Sequence, residues 1–331
     1  MKNAAPTLTS AIRLAAYGGP DVMQLQEVPV ADPGPGEVRV RNRAVGLNFI
    51  DIYFRTGLYT TPLPHGLGLE GAGEVEAVGP GVTHLREGDR VAYGSGPVGA
   101  YAALRCLPAQ HVVALPDAIS FETAAAVMLK GLTVQYLFRQ TYRLQGTETI
   151  LFHAAAGGVG LIACQWARAL GVQLIGTVGS AQKAQLARAQ GAWQAIDYTQ
   201  EDFVARVHDL THGARVPVVY DGVGKDTWEK SLDCLQPRGL MVSFGNASGP
   251  VTGVNLGILA QKGSLYVTRP TLATHVARRE RLEEMAAELF GHLLSGAITV
   301  PVERRYPLAQ AAQAHADLAA RRTSGSCVLL P

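Results

Sequence analysis

The chain has 331 residues, 47% of them hydrophobic and 17% charged, and 29 basic against 27 acidic side chains leave a formal net charge of +2. That length allows about two domains at roughly 100–200 residues each, and the charge balance gives no case for a nucleic acid or an anionic membrane surface as partner. No run reaches the ~18 apolar residues that span a bilayer.

Met1 to Ser10 carries one lysine and no apolar core of signal-peptide length, so it reads as a frayed tail on a cytoplasmic protein. Glu37 to Arg43 alternates Val38 and Val40 with Arg39, Arg41 and Arg43, the period of a strand with one wet face. Gly73 to Val78 and His111 to Leu115 are further β-prone runs, and Gly-Pro-Gly at 79–81 marks a turn. Few helices fit before residue 120.

The pattern changes at Phe121, where Ser120 can cap a helix that begins with Glu122 and runs through the alanines at 124–126. Apolar β runs then recur at 149–153, 172–178, 194–197, 216–220, 239–244 and 264–268. Helical segments near 158–170, 181–190, 201–210, 226–235 and 255–261 separate them. Strands alternating with crossover helices predict an α/β fold with a doubly wound parallel sheet of the Rossmann type. After Pro270 a long helix places Leu282, Met285, Ala286, Leu289, Phe290, Leu293 and Leu294 on one face. Ser326 to Leu330 reads as a short strand that returns to the N-terminal domain, making that domain discontinuous: 1–126 with 271–331, around a dinucleotide-binding domain at 127–270.

Cys106, Cys164, Cys234 and Cys327 lie far apart, with no CxxC and no clustered His/Cys ligands. That spacing argues against a structural zinc site and, in a reducing compartment, predicts four free thiols, with Cys164 facing a helix core.

The strongest chemical signal is Thr149-Ile-Leu-Phe-His-Ala-Ala-Ala-Gly-Gly-Val-Gly160, a strand running into glycines and then into a helix. Ala154, Gly157 and Gly160 keep the three-residue spacings of a dinucleotide fingerprint, with alanine in place of the first glycine. Small residues let the backbone turn, approach a pyrophosphate and present amides at a helix N-terminus, where the dipole favours an anion. The acid that would hold a ribose 2′-hydroxyl at the end of the second strand is absent. Thr177-Val-Gly-Ser-Ala-Gln-Lys183 stands there instead, so Ser180 and Lys183 can bond and neutralise a 2′-phosphate. This favours NADPH over NADH. The plainer alternative is that Ser180 caps the next helix and Lys183 is solvated.

These residues, with Gly46-Leu-Asn-Phe-Ile-Asp-Ile-Tyr53, Arg55-Thr-Gly-Leu-Tyr59, Lys130-Gly-Leu-Thr133 and Val242-Ser-Phe-Gly-Asn246, closely resemble the NADPH:quinone oxidoreductases of the zeta-crystallin-like group. That group is the zinc-independent branch of the medium-chain dehydrogenase/reductase superfamily. The resemblance extends over nearly the whole chain. It implies a GroES-like β-barrel domain beside the Rossmann domain, a homodimer, NADPH as cofactor and a small-molecule quinone as substrate. Zinc alcohol dehydrogenases of the superfamily have a cysteine ligand where Asn48 stands and a histidine where Leu69 precedes Glu70, so no metal residues are expected.

Position by position, the resemblance places Asn48, Tyr53 and Tyr59 as catalytic residues near the nicotinamide, with Thr133 and, more weakly, Tyr136 close by and Phe244 and Gly245 bordering the ring. Gly157, Gly158, Val159 and Gly160 would hold the pyrophosphate. Gly179, Ser180, Lys183 and Tyr198 would surround the 2′-phosphate, and Arg321 would reach in from the last segment. Glu70 is expected only to satisfy backbone or a nearby arginine, and His153 to pack. A quinone accepts reducing equivalents without a metal to polarise it, so the cofactor can carry the chemistry. Two rivals share this reading of the cofactor site: an enoyl or alkenal double-bond reductase, and a non-catalytic NADPH-binding protein with a structural or RNA-binding role.

Overall fold

The computed structural model describes residues 7–331. Met1 to Pro6 lie outside the described residues, and Thr7 to Ser10, expected as part of a frayed tail, instead open the first strand. Strands β1 (Thr7–Leu14), β2 (Met23–Val30) and β3 (Glu37–Gly46) precede helix α1 (Phe49–Thr56). Strands β4 (His65–Gly66), β5 (Gly71–Val78), β6 (Arg90–Tyr93), β7 (Leu104–Pro108) and β8 (Val113–Ala114) lead to helix α2 (Phe121–Tyr136). An alternation follows: β9 (Thr149–Phe152), α3 (Gly158–Ala169), β10 (Gln173–Val178), α4 (Ala181–Ala189), β11 (Gln194–Asp197), α5 (Phe203–Leu210), β12 (Val216–Asp221), α6 (Trp228–Asp233), β13 (Leu235–Ser243), α7 (Gly257–Gln261) and β14 (Tyr266–Thr268). The chain closes with α8 (Leu272–His275), α9 (Arg279–Leu294), β15 (Val302–Pro307), α10 (Ala311–Ala319) and β16 (Ser326–Leu330).

Two compact units result, Met1–Leu132 with His275–Leu294 and Val300–Pro331, and Thr133–Thr274 with Ser295–Thr299. In the first, a seven-stranded sheet runs β15-β16-β3-β5-β6-β8 with β7 also on β3, beside a three-stranded sheet β2-β1-β4. The core between them holds Ile12, Leu14, Val38, Val40, Tyr93, Tyr101 and Leu107. The expected return of the last strand is seen directly, as Val328 and Leu329 pair antiparallel with Gly46 and Val45. Leu47 N–H then donates to the Cys327 carbonyl, which fixes the chain just before Asn48.

The second unit contains a six-stranded sheet in the order β11-β10-β9-β12-β13-β14, every pair parallel. Its central strands are apolar on both faces, as a sheet covered by helices on each side requires. Ile150, Leu151, Leu174, Ile175, Val218 and Val219 are all fully buried.

Several boundaries differ from the sequence pattern. His111 lies in a single 3-10 turn, leaving Val113–Ala114 as the strand, and β13 begins at Leu235, shortening α6 to Trp228–Asp233. In α9 the residues Leu282 to Phe290 of the expected stripe are buried, each such large apolar side chain contributing about 1.5–3 kcal/mol. Leu294 is 54% exposed, because the stripe outlasts the surface it covers. Ser120 caps α2 as expected, its hydroxyl accepting Thr123 N–H at 3.1 Å. All four cysteines are free, and burial pushes the Cys164 thiol up to about 12.

Candidate active site

Asn48 has extended backbone and ends the turn before α1, a short helix that closes at Gly57 in the left-handed conformation with φ 81°. The Asn48 backbone N–H donates to Asp51 Oδ2 at 2.9 Å, satisfying one of the donors a helix N-terminus leaves free. The Asn48 side chain is 4% exposed, and its Nδ2 donates to Glu70 Oε2 at 2.6 Å. Glu70 also accepts Leu129 N–H at 2.7 Å and the Lys130 ammonium at 3.2 Å. The expected backbone contact is thus present at Leu129, while the charged partner is a lysine in place of an arginine, and the pair is buried, at 0% and 6% side-chain exposure. The glutamate determines which end of the Asn48 amide faces it, since a carboxylate needs a donor there.

Tyr53 lies one turn further on α1, 8% exposed. Its ring meets Tyr59 edge-on at 5.3 Å, and Tyr59 N–H donates back to the Tyr53 carbonyl at 3.1 Å after the turn at Gly57. Asn48, Tyr53 and Tyr59 therefore gather around one short helix.

Behind them runs a buried chain absent from the sequence reading. Arg55 Nη1 lies 3.1 Å from His315 Nδ1, His315 Nε2 lies 3.0 Å from the Tyr101 hydroxyl, and that hydroxyl donates to Asp51 Oδ2 at 2.9 Å. A guanidinium only donates, so His315 Nδ1 is the acceptor and Nε2 carries the proton. Burial raises the Asp51 carboxyl to about 7, against the lowering effect of its Tyr101 bond. Burial first, and the Arg55 charge second, lower His315 to about 3.

In the second unit, β9 runs into Ala154, which takes the left-handed conformation with φ 56° although it is not glycine. Gly157 N–H closes the turn on the Ala154 carbonyl at 2.9 Å and ends in α3, whose first residues are Gly158, Val159 and Gly160. At Gly160 a side chain is excluded, since a Cβ would stand 2.4 Å from the Ala154 carbonyl oxygen. A helix N-terminus leaves its first amides without intrahelical partners, and such amides can receive an anion.

Gly179 and Ser180 follow β10, Lys183 lies in the first turn of α4, and Tyr198 follows β11. A Cβ on Gly179 would lie 2.7 Å from the Tyr198 hydroxyl, so the exposed tyrosine packs close over this glycine. Ser180 Oγ accepts Lys183 N–H at 3.2 Å, so the serine does cap α4, with its own O–H still able to donate. The carboxylate in register across the sheet, Asp197 opposite Val178, is engaged by the Thr199 amide and hydroxyl at 3.1 and 2.7 Å.

Phe244 and Gly245 follow β13, their N–H groups directed at the Asp221 carbonyl, and the Phe244 ring lies 5.6 Å from that of Phe152. Thr133 and Tyr136 are buried on α2, at 7% and 2% exposure. Arg321 stands exposed after α10, in the first unit, with φ 57°. No group of three or more His, Cys, Asp or Glu side chains suited to a metal occurs among the described residues. Asn48 and Leu69, which the resemblance sets at zinc-ligand positions of the zinc alcohol dehydrogenases, offer an amide and a hydrocarbon, neither of which ligates zinc.

Two family profiles match the chain: the alcohol dehydrogenase GroES-like domain over residues 34–117 and the zinc-binding dehydrogenase over residues 158–290. A quinone oxidoreductase of Pseudomonas aeruginosa is 67% identical over 321 residues, 97% of this chain and 99% of its own length. The chain belongs to the quinone oxidoreductases of the medium-chain dehydrogenase/reductase superfamily. The crystal structure of Escherichia coli quinone oxidoreductase complexed with NADPH is 57% identical, with a TM-score of 0.96 over 97% of this chain and 100% of that one. A 2-haloacrylate reductase from Burkholderia is 44% identical over 95% of this chain and 96% of its own. The family accounts for the GroES-like and Rossmann folds of the two units.

Proposed function

We propose that this quinone oxidoreductase family member reduces quinones with NADPH, without a metal in the step. The observation that carries the cofactor choice is the end of β10, where Tyr198 lies close to Gly179, Ser180 caps the helix that carries Lys183, and β10 itself has no carboxylate to oppose a 2′-phosphate. The amides of Gly157 to Gly160 would hold the pyrophosphate at the N-terminus of α3, and Phe244 and Gly245 would border the nicotinamide, with Thr133 and Tyr136. Arg321 is assigned to the 2′-phosphate as well. The relative crystallised with NADPH supports this reading.

When bound, NADPH supplies a hydride from C4 of its nicotinamide. The residues of the chain orient the acceptor and meet the charge that develops on its oxygen. Asn48 has two amide protons; Glu70 takes one, held in place by Lys130, and the second is left to donate to the oxyanion. Tyr53, anchored by its edge contact with Tyr59, is the other donor. Protons come from solvent. Asn48, Tyr53 and Tyr59 are the catalytic set.

Among the described residues no helix is long and apolar enough to cross a membrane. A cytoplasmic location and a homodimer complete the proposal. The outer strand β14 of the parallel sheet presents Tyr266 and Val267 at 56% and 40% exposure, which suits pairing with a second copy.

The 2-haloacrylate reductase among the relatives favours a second reading, hydride transfer to an activated carbon–carbon double bond. Turnover with a para-quinone, an ortho-quinone, an α,β-unsaturated ketone and 2-chloroacrylate separates the two. Quinones are expected to be the faster acceptors, and a clear preference for the double bonds would move the assignment to the second reading.

A further inference from the structure

His153 is expected from its position only to pack, yet its ring, 1% exposed, is engaged at both nitrogens. Nδ1 lies 2.8 Å from Thr177 Oγ1 and Nε2 lies 2.8 Å from Ser231 Oγ, while the ring edge meets Phe203 at 5.1 Å. Ser231 Oγ in turn lies 2.7 Å from the Thr227 carbonyl and 3.3 Å from Asp221 Oδ2, and Thr227 donates its hydroxyl to Asp221 Oδ2 at 2.7 Å. The other Asp221 oxygen accepts Val223 and Gly224 N–H at 2.7 and 3.0 Å.

Hydrogen-bond capacity orders this network. Burial keeps the ring neutral by lowering its pKa, so one nitrogen donates and the other accepts. With the proton on Nε2, the ring donates to Ser231, Ser231 donates onward to Thr227 or Asp221, and Thr177 donates to Nδ1. Every proton then has an acceptor. With the proton on Nδ1, Thr177 loses its acceptor and Ser231 must abandon Thr227 and Asp221, which in a fully buried site is costly. The network therefore runs from Thr177 through His153 and Ser231 to Asp221.

His153, Thr177 and Asp221 sit at the ends of three adjacent strands, and Ser231 joins them from α6. His153 directly follows β9 and precedes Ala154, Thr177 is two residues before Gly179 on β10, and Asp221 ends β12 and accepts Phe244 and Gly245 N–H on its backbone carbonyl. We propose that His153 is a positioning residue for the dinucleotide, tying the pyrophosphate turn, the 2′-phosphate pocket and the Phe244 turn into one rigid floor. This inference rests on the cofactor reading above. The two arms of the network serve different parts of the cofactor: Thr177 holds the adenosine end, and Ser231 with Asp221 holds the nicotinamide end.

The test uses the full-length protein and the variants Thr177→Val, Thr177→Ser and Ser231→Ala, with Kd for NADPH and NADH by fluorescence titration and kcat with one quinone. Thr177→Val is expected to weaken NADPH about five- to tenfold while NADH changes less than about twofold, the worth of one hydrogen bond. Thr177→Ser, which keeps the hydroxyl, is expected to restore the parent preference. Ser231→Ala is expected to leave that preference intact and lower kcat about fivefold. A histidine that merely packs would lower the Tm of these variants and move neither the cofactor ratio nor kcat, and that result overturns the proposal. If Thr177→Val does not fold, Ser231→Ala decides, since a parent-like kcat contradicts the network's role. A parent protein with no preference for NADPH would sink the cofactor reading and this inference with it. A parent that prefers NADPH beside unaffected variants would sink the inference alone.

Discussion

Asn48 donates its amide N–H to Glu70 at 2.6 Å, and Lys130, sixty residues further along the chain, reaches the same carboxylate oxygen at 3.2 Å. The pair is buried and hydrogen-bonded, so removing one partner leaves the other charge in a medium that cannot solvate it. Lys130→Met should therefore lose about 3–5 kcal/mol of stability in urea denaturation. Lys130→Met combined with Glu70→Gln, which removes both charges, should recover most of that loss. Equal destabilisation in the single and double variants would show that the charge itself is not what Lys130 offsets.

The buried chain from Asp51 to His315 makes stability depend on pH through two opposing slopes. Asp51 is raised from 3.8 to about 7, so between those values the folded chain holds a proton that the unfolded chain has released. Its contribution is full below pH 3.8 and is lost as pH rises through about 7. His315 is lowered from 6.5 to about 3, so stability is lost as pH falls below 6.5. The two slopes offset each other between about pH 4 and 6.5. Asp51→Asn should unmask the histidine slope, giving a urea midpoint that climbs with pH over that window more steeply than the parent's. Parallel profiles for parent and variant would contradict the raised carboxyl.

Tyr53 stands on the helix that Asn48 begins, with Tyr59 against its ring edge. Tyr53→Phe keeps the ring contact and deletes the hydroxyl. Loss of one preorganised donor to an oxyanion is expected to lower kcat on the order of 10²-fold, with NADPH affinity unchanged. Steady-state kinetics beside a binding titration separate the two quantities, and parent-like turnover with every quinone tested would remove Tyr53 from the oxyanion role.

Lys183 bears on one cofactor alone. Lys183→Ala should weaken NADPH by about 1.5–3 kcal/mol, the worth of a charged hydrogen bond, and leave NADH as it was. Competition with adenosine 2′,5′-bisphosphate should weaken in parallel. If the ratio of NADPH to NADH affinity stays at its parent value, the 2′-phosphate is recognised elsewhere.

The parallel sheet was legible because its central strands are apolar on both faces and punctuated by helices, so β9 to β12 appear as discrete runs at nearly their observed bounds, while β13 starts four residues before its apolar run. The antiparallel unit was harder. Strand β1 carries the mixed pattern Thr-Leu-Thr-Ser-Ala-Ile-Arg-Leu, whose register depends on β2 and β4 rather than on its own alternation. The start of α1 had a local signal in Asn48 and Asp51, three residues apart, with Gly57 past its end. The Glu70–Lys130 pair and the Arg55–His315–Tyr101–Asp51 chain had none, because they join residues brought together only by the packing of distant segments. His153 was underread for the same reason: a histidine at the end of a buried strand discloses nothing of Thr177 and Ser231 at its two nitrogens.

The most direct test of the whole account is oxidation of NADPH and NADH by a small para-quinone in the presence of purified, chelator-treated protein, read as kcat/KM at 340 nm. The expected result is rapid quinone-dependent NADPH oxidation that survives chelation, with NADH clearly poorer. Loss of activity on chelation, or NADH used as well as NADPH, would contradict it.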